Sequence, residues 1–110
     1  MKIAIPLANN LLCMHFGHCE QFGIYDVTDN KIVKSTVMTP PPHEPGLYPR
    51  LLGELGVNLI IAGGMGMNAQ QLFQANNVKV VTGAASDKPE QIIKDYLNNT
   101  LKCGANTCDH

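Results

Sequence analysis

Two cysteines and two of the four histidines fall within seven residues, Cys13-Met14-His15-Phe16-Gly17-His18-Cys19. Thiolate and imidazole are the side chains that ligate zinc, iron and copper, and soft sulfur favours copper(I), zinc and iron–sulfur species. Gly17 removes a side chain where the backbone must bend sharply or a bulky ligand approaches. The spacing is not that of a zinc finger, because five residues separate Cys13 from Cys19 and the chain contains no CxxC pair. The plainer alternative makes each cysteine a small buried apolar residue and His15 a loop residue bonded to backbone. For one cysteine that alternative wins. Four ligand-type residues in one loop favour metal or cluster contact, with Cys13, His15, His18 and Cys19 as ligands.

A second group, Cys103, Cys108 and His110, stands in the tail "CGANTCDH". Cys-x4-Cys at a chain end is weak evidence alone. With a Cys/His loop elsewhere in the chain, it makes a shared site, or a metal-bridged dimer, chemically reasonable. His43 is a lone histidine in "PPPHEPG" and ranks below His15. A third feature is "AGGMGMN" (62–68), where Gly63, Gly64 and Gly66 expose backbone N–H groups at the start of a helix. An anion or a cluster's negative charge could sit there. It is neither a Walker loop nor GxGxxG, and from sequence alone a tight turn needing glycine only for geometry is slightly the better reading. Met65 sits among these glycines. It reads mainly as a packing residue, with thioether contact to a ligand as the further option.

The elements that must position these residues follow from periodicity. Strand-like runs at about 2–7, 21–28, 31–38, 57–62 and 78–83 alternate, from Leu47 onward, with helical spacings at about 47–55 and 66–75 and within "SDKPEQIIKDYLNN" (86–99). Thr28-Asp29-Asn30-Lys31 marks a hairpin turn, Gly56 a helix stop, and Asp87 a candidate cap for the last helix, with Pro89 in its first turn. The order β-β-β-α-β-α-β-α predicts an α/β three-layer sandwich around a five-stranded mixed sheet, with a ribonuclease-H-like arrangement. Loops 8–20, 63–68 and 83–88 then leave the carboxyl ends of parallel strands and converge on one crevice. We read residues 1–98 as one domain and 99–110 as a flexible Cys/His tail.

Composition narrows the function classes. With 110 residues, 45% apolar, 15% charged and a net charge of −1, the chain lacks the basic footprint of nucleic-acid binding. No apolar run is long enough to span a membrane. "MKIAIPL" enters a strand directly without a leader pattern, so a cytoplasmic, reduced chain is expected, and its thiols suit metal work better than disulfides. Neither "KIAIP" nor "VNLIIA" carries a carboxylate, which disfavours two-metal nuclease or phosphotransfer chemistry. No G-x-S-x-G elbow is present. Cysteine–histidine nucleophilic catalysis has no evident orienting third group.

The segments "KIAIP", "HFGHC", "GIYDV", "GVNLIIAGGMGMNAQQLF", "NVKVVTG" and "PEQIIKDYL" resemble, in order, the dinitrogenase iron–molybdenum cofactor biosynthesis family. This is the NifX-like carrier domain, also found at the C-terminus of NifB. The resemblance implies a ribonuclease-H-like fold without nuclease activity and non-catalytic binding of iron–sulfur or molybdenum-containing clusters. It maps the family's HFG histidine onto His15 and its glycine-rich loop onto Gly63, Gly64 and Gly66. Family members often carry serine two before that histidine, arginine after HFG and then a small residue. Here Cys13, His18 and Cys19 stand instead, which favours direct sulfur and imidazole ligation. The resulting expectation is a non-enzymatic carrier or scaffold for an iron–sulfur or molybdenum-containing cluster, partnered by a cofactor-assembly or acceptor protein. The competing readings are a small-anion or nucleotide module at 63–66 and a thiol-dependent enzyme.

Overall fold

The computed structural model describes residues 1–14, 16, 19–42, 46–85 and 87–101. Its first strand, β1 (Lys2–Ala8), lies at the centre of the sheet. Period-2 alternation sends Ile3, Ile5 and Leu7 into one core cluster and Ala4 into the other. Pro6 is tolerated within this central strand because its carbonyl points toward Cys13, away from the neighbouring β3 strand. The donor that proline lacks would point the same way, so the ladder to β3 loses nothing.

Asn9 and Asn10 turn the chain with φ of 54° and 65°, and β2 (Leu11–Leu12) pairs back on Leu7 and Ala8. Two successive positive-φ residues are the signature of a tight hairpin turn. Next come β3 (Gln21–Thr28) and β4 (Lys31–Met38), an antiparallel hairpin whose turn residues Asp29 and Asn30 also have positive φ. The register shifts between Asp26 and Val27, which is a bulge. Then follow α1 (Leu47–Glu54), β5 (Leu59–Ile61), α2 (Met67–Ala75), β6 (Lys79–Val81) and α3 (Pro89–Leu97). The strand order is β4-β3-β1-β5-β6, with β1, β5 and β6 parallel and β3 and β4 antiparallel to their neighbours.

Two expectations need correcting. The sheet has six strands among the described residues, not five, because a two-residue strand such as β2 leaves no periodic trace in sequence. The residue capping α3 is Lys88, not Asp87. The Asp87 Oδ1 instead accepts the Lys88 N–H at 2.7 Å. Gly56, at φ 85°, does end α1 as expected.

Helices cover both faces of the sheet. On one side α3 packs Ile92 and Ile93 onto Ile3, Ile5, Leu59 and Ile61. On the other, α1 and α2 bring Tyr48, Leu52 and Phe73 onto Ala4, Phe22 and Ile60. The three-residue β5 is buried throughout, as a parallel strand covered on both faces must be. No helix among the described residues is long and apolar enough to cross a membrane.

Candidate metal centre

The loop holding Cys13 and Cys19 is anchored at both ends to β1. The Cys13 N–H donates to the Pro6 carbonyl and the Glu20 N–H to the Leu7 carbonyl, each at 2.8 Å. Entry and exit of the loop are therefore set one residue apart on the same strand. Leu7 pairs with Gln21 on one edge and Leu12 on the other. β2 therefore occupies the edge that β5 uses lower down, and the loop begins directly above the carboxyl end of β5.

There it meets the glycine-rich turn. Gly64 donates its N–H to the Met14 carbonyl at 2.7 Å, and its carbonyl accepts the Phe16 N–H at 3.0 Å. The third loop joins the same stack. Gly83 N–H donates to the Gly63 carbonyl, Ala84 N–H to the Ala62 carbonyl at 3.2 Å, and Leu12 N–H to the Asp87 carbonyl at 3.0 Å. The expected convergence of the three loops is thus made by main-chain hydrogen bonds, which depend on backbone geometry rather than on side-chain identity. Gly63 is required by close approach. A Cβ there would lie 2.9 Å from both Cα and the carbonyl oxygen of Met14, and 3.2 Å from the Cys13 carbonyl oxygen.

This arrangement narrows the part assigned to the 63–66 turn. Gly63, Gly64 and Met65 are all buried, and the Gly64 N–H is spent on Met14. Met65 lies wholly inside the core, and its carbonyl accepts Gln70 Nε2 at 2.9 Å. What remains open is Gly66, half-buried, with the exposed first turn of α2, whose N-cap lacks a side-chain hydrogen bond. First-turn N–H groups have no intrahelical partner, so this end of α2 presents partial positive charge.

Phe16 pins the loop from below. It is 5% exposed and meets Phe73 edge-on at 5.5 Å between ring centroids, Tyr48 edge-on at 6.0 Å and Phe22 at 6.2 Å. Edge-to-face pairs at such spacings are favourable beyond the area they bury. Reading the loop for ligands missed this anchor, although a lone aromatic between polar residues was a visible signal.

Cys13 is buried and Cys19 half-buried against the aromatic cluster. Burial first, and the neighbouring Cys13 second, push the Cys19 thiol from its ordinary value of 9.0 up to about 11, against a lowering backbone hydrogen bond. At neutral pH Cys19 is therefore a protonated thiol. A soft metal would displace that proton, whereas a nucleophile would be hindered by it. Tyr48, whose Oη donates to the Pro41 carbonyl at 3.0 Å, is held above the usual tyrosine range by burial and by Cys19. Among the described residues no three His, Cys, Asp or Glu side chains come together to hold a metal ion. Of the ligands expected from sequence, Cys13 and Cys19 are brought together, and two thiols suit a soft metal–sulfur species. His15, His18, Cys103, Cys108 and His110 lie outside the described residues, as does His43.

Known proteins resemble this chain along nearly its whole length. An uncharacterized protein of Methanocaldococcus jannaschii, MJ0580, is 30% identical over 108 residues, covering 93% of this chain and 90% of the relative. The crystal structure of PH0822 superposes with a TM-score of 0.87 at 25% identity, covering 94% of each chain. The apo form of the orange protein from Desulfovibrio gigas gives a TM-score of 0.74 at 19% identity, over 96% of this chain and 93% of that one, a likeness of fold alone. The dinitrogenase iron–molybdenum cofactor family model matches residues 1–99, and the chain therefore belongs to that family.

Proposed function

We propose that the protein is a non-catalytic carrier or scaffold that binds an iron–sulfur or molybdenum-containing cluster, or its precursor, as cargo for metallocofactor assembly. The observation carrying this reading is the pair of main-chain bonds between Gly64 and the 14–16 segment, which seats the Cys13/Cys19 loop beside the α2 N-terminus in a chain of this family. Cys13 and Cys19 supply thiolate, His15 and His18 imidazole, and the open end of α2 meets the cluster's negative charge. Cys103, Cys108 and His110, from the tail 99–110, join as further ligands and are the natural means of bridging two chains. The partner is a cofactor-assembly or acceptor protein, in the cytoplasm. The strand order supports a ribonuclease-H-like layout.

Two observations weigh against the competing readings. The Gly64 N–H is committed to Met14, which removes a donor from an anion or nucleotide cradle. The raised pKa of Cys19 makes it a poor nucleophile at neutral pH. Anaerobic reconstitution with iron, sulfide and molybdate, followed by metal analysis and visible spectra, tests the proposal. Stoichiometric uptake by the wild type and loss of the chromophore in Cys13→Ser and His15→Ala are expected. A wild-type protein that takes up no metal would end this reading.

A further inference from the structure

Among the described residues, the face of the sheet opposite the aromatic cluster is incompletely covered. Between α3 and the tip of the β3–β4 hairpin lies a hollow of about 360 Å³, with Ile32, Ile93 and Leu97 in its walls. Lys88 and Glu90 also line a second hollow, of about 350 Å³, which continues toward Leu7, Leu11, Tyr25 and Val37. Leu11 and Val37 are 39% and 52% exposed. Together the hollows form an apolar channel from the hairpin tip to β2, the strand that feeds directly into Cys13.

Its charges are one-sided. Lys31, Lys88 and Lys94 stand along the channel, all exposed, against one lining carboxylate, Glu90. None of the three lysines makes an ion pair among the described residues, where the single pair is Lys2 with Asp26 at 4.0 Å. Asp95, next to Lys94, is engaged by Gln91 Nε2 at 3.0 Å and by the Thr100 hydroxyl. In a chain of net charge −1, three cations against one carboxylate around an apolar floor are a local excess rather than a reflection of composition. The length fits a peptide better than a small ion. Nine residues of α3, at about 1.5 Å each, give a wall of roughly 13 Å.

We propose that this channel docks an acidic amphipathic segment of a partner protein, apolar side chains on the floor and carboxylates against Lys31, Lys88 and Lys94. The partner's identity as the cargo's acceptor rests on the carrier reading; the docking surface does not. A partner seated here would lie beside β2 and the thiol loop without filling the cargo site.

The test uses the full chain and two synthetic amphipathic peptides, one with leucines and glutamates on opposite faces and one with lysines replacing the glutamates. Binding is followed by amide NMR shifts and titration calorimetry. The acidic peptide is expected to bind, shifting Ile32, Val37, Lys88 and Lys94, and the basic one to bind far more weakly. Affinity should fall when salt is raised from about 0.1 M to about 1 M, as the screening length shrinks from about 10 Å to about 3 Å. The triple variant Lys31→Glu, Lys88→Glu, Lys94→Glu should lose about tenfold or more, as three exposed ion pairs imply, with its melting transition and metal uptake unchanged. Equal binding of both peptides, binding of neither, or shifts confined to α1 and α2 would overturn the proposal. Loss of wild-type metal uptake with the acidic peptide still bound would sink the carrier reading and leave the docking surface standing.

Discussion

The two faces of the sheet solve different problems. The α1–α2 face is aromatic, with Phe16, Phe22, Tyr48 and Phe73 forming a chain of tilted and edge-on ring contacts. The α3 face is almost wholly aliphatic, with Tyr25 its one buried aromatic residue. Flat rings with fixed edge-to-face geometry hold a loop in one place, and the face that uses them is the one from which the thiol loop hangs. Aliphatic packing stabilises equally well per area but imposes less direction. The lesson is that burial and positioning are separable: one face supplies both, the other mainly burial.

The largest effect should come from breaking the anchor. Phe16→Ala should cost about 3–5 kcal/mol, and Ile93→Ala on the opposite face about 2–5 kcal/mol. Denaturant unfolding measures both. Only Phe16→Ala should also speed alkylation of Cys13 and lower bound iron per folded molecule. Equal thiol reactivity in the two variants would erase the distinction between the faces.

Gly63→Ala comes next. Its methyl group would meet the Met14 backbone, which cannot swing away as a side chain could, at a cost of about 1–3 kcal/mol. Amide exchange at Gly64 and Phe16 should accelerate while α3 remains protected. Unchanged exchange at those two sites would show that the clamp between the loops is not what Gly63 protects.

The smallest effect is on pH dependence, and its sign is the same on both faces. Cys19 holds its proton more tightly folded than unfolded. It therefore contributes stability below about 9 that is lost as pH rises toward about 11. Tyr25, raised to about 12 by burial and then by Glu90, behaves likewise in the higher window above about 10. Thiolate absorbance should place the Cys19 transition, and Cys13→Ser should lower it by removing the like charge. Metal uptake releases protons and should strengthen as pH rises from neutrality. A Cys19 titration at the ordinary value would contradict the burial of its sulfur.

Much of the scaffold was legible beforehand because its signals are local. The hairpin about Asp29-Asn30, the stop at Gly56 and the apolar face of α3 all follow from backbone preference or short-range periodicity. β2 was not legible, since two residues carry no period. At the site, the density of cysteine in the loop was plain. What lay hidden was the division of labour among its neighbours. A glycine serves equally for anion contact, positive φ or close approach, and only the distance from Gly63 to Met14 chooses among them.

By itself, then, the sequence determined the kind of chemistry on offer, soft ligands in one loop, and the order of elements that would carry it. Those are properties of residue type and local spacing. Only the tertiary structure decided that β1 receives both ends of the loop, that Gly64 clasps its middle and that Phe16 is its root. The Gly64 clasp and the Phe16–Phe73 contact join residues some fifty positions apart. Their energy depends on the packing of the whole sheet, which no local pattern encodes.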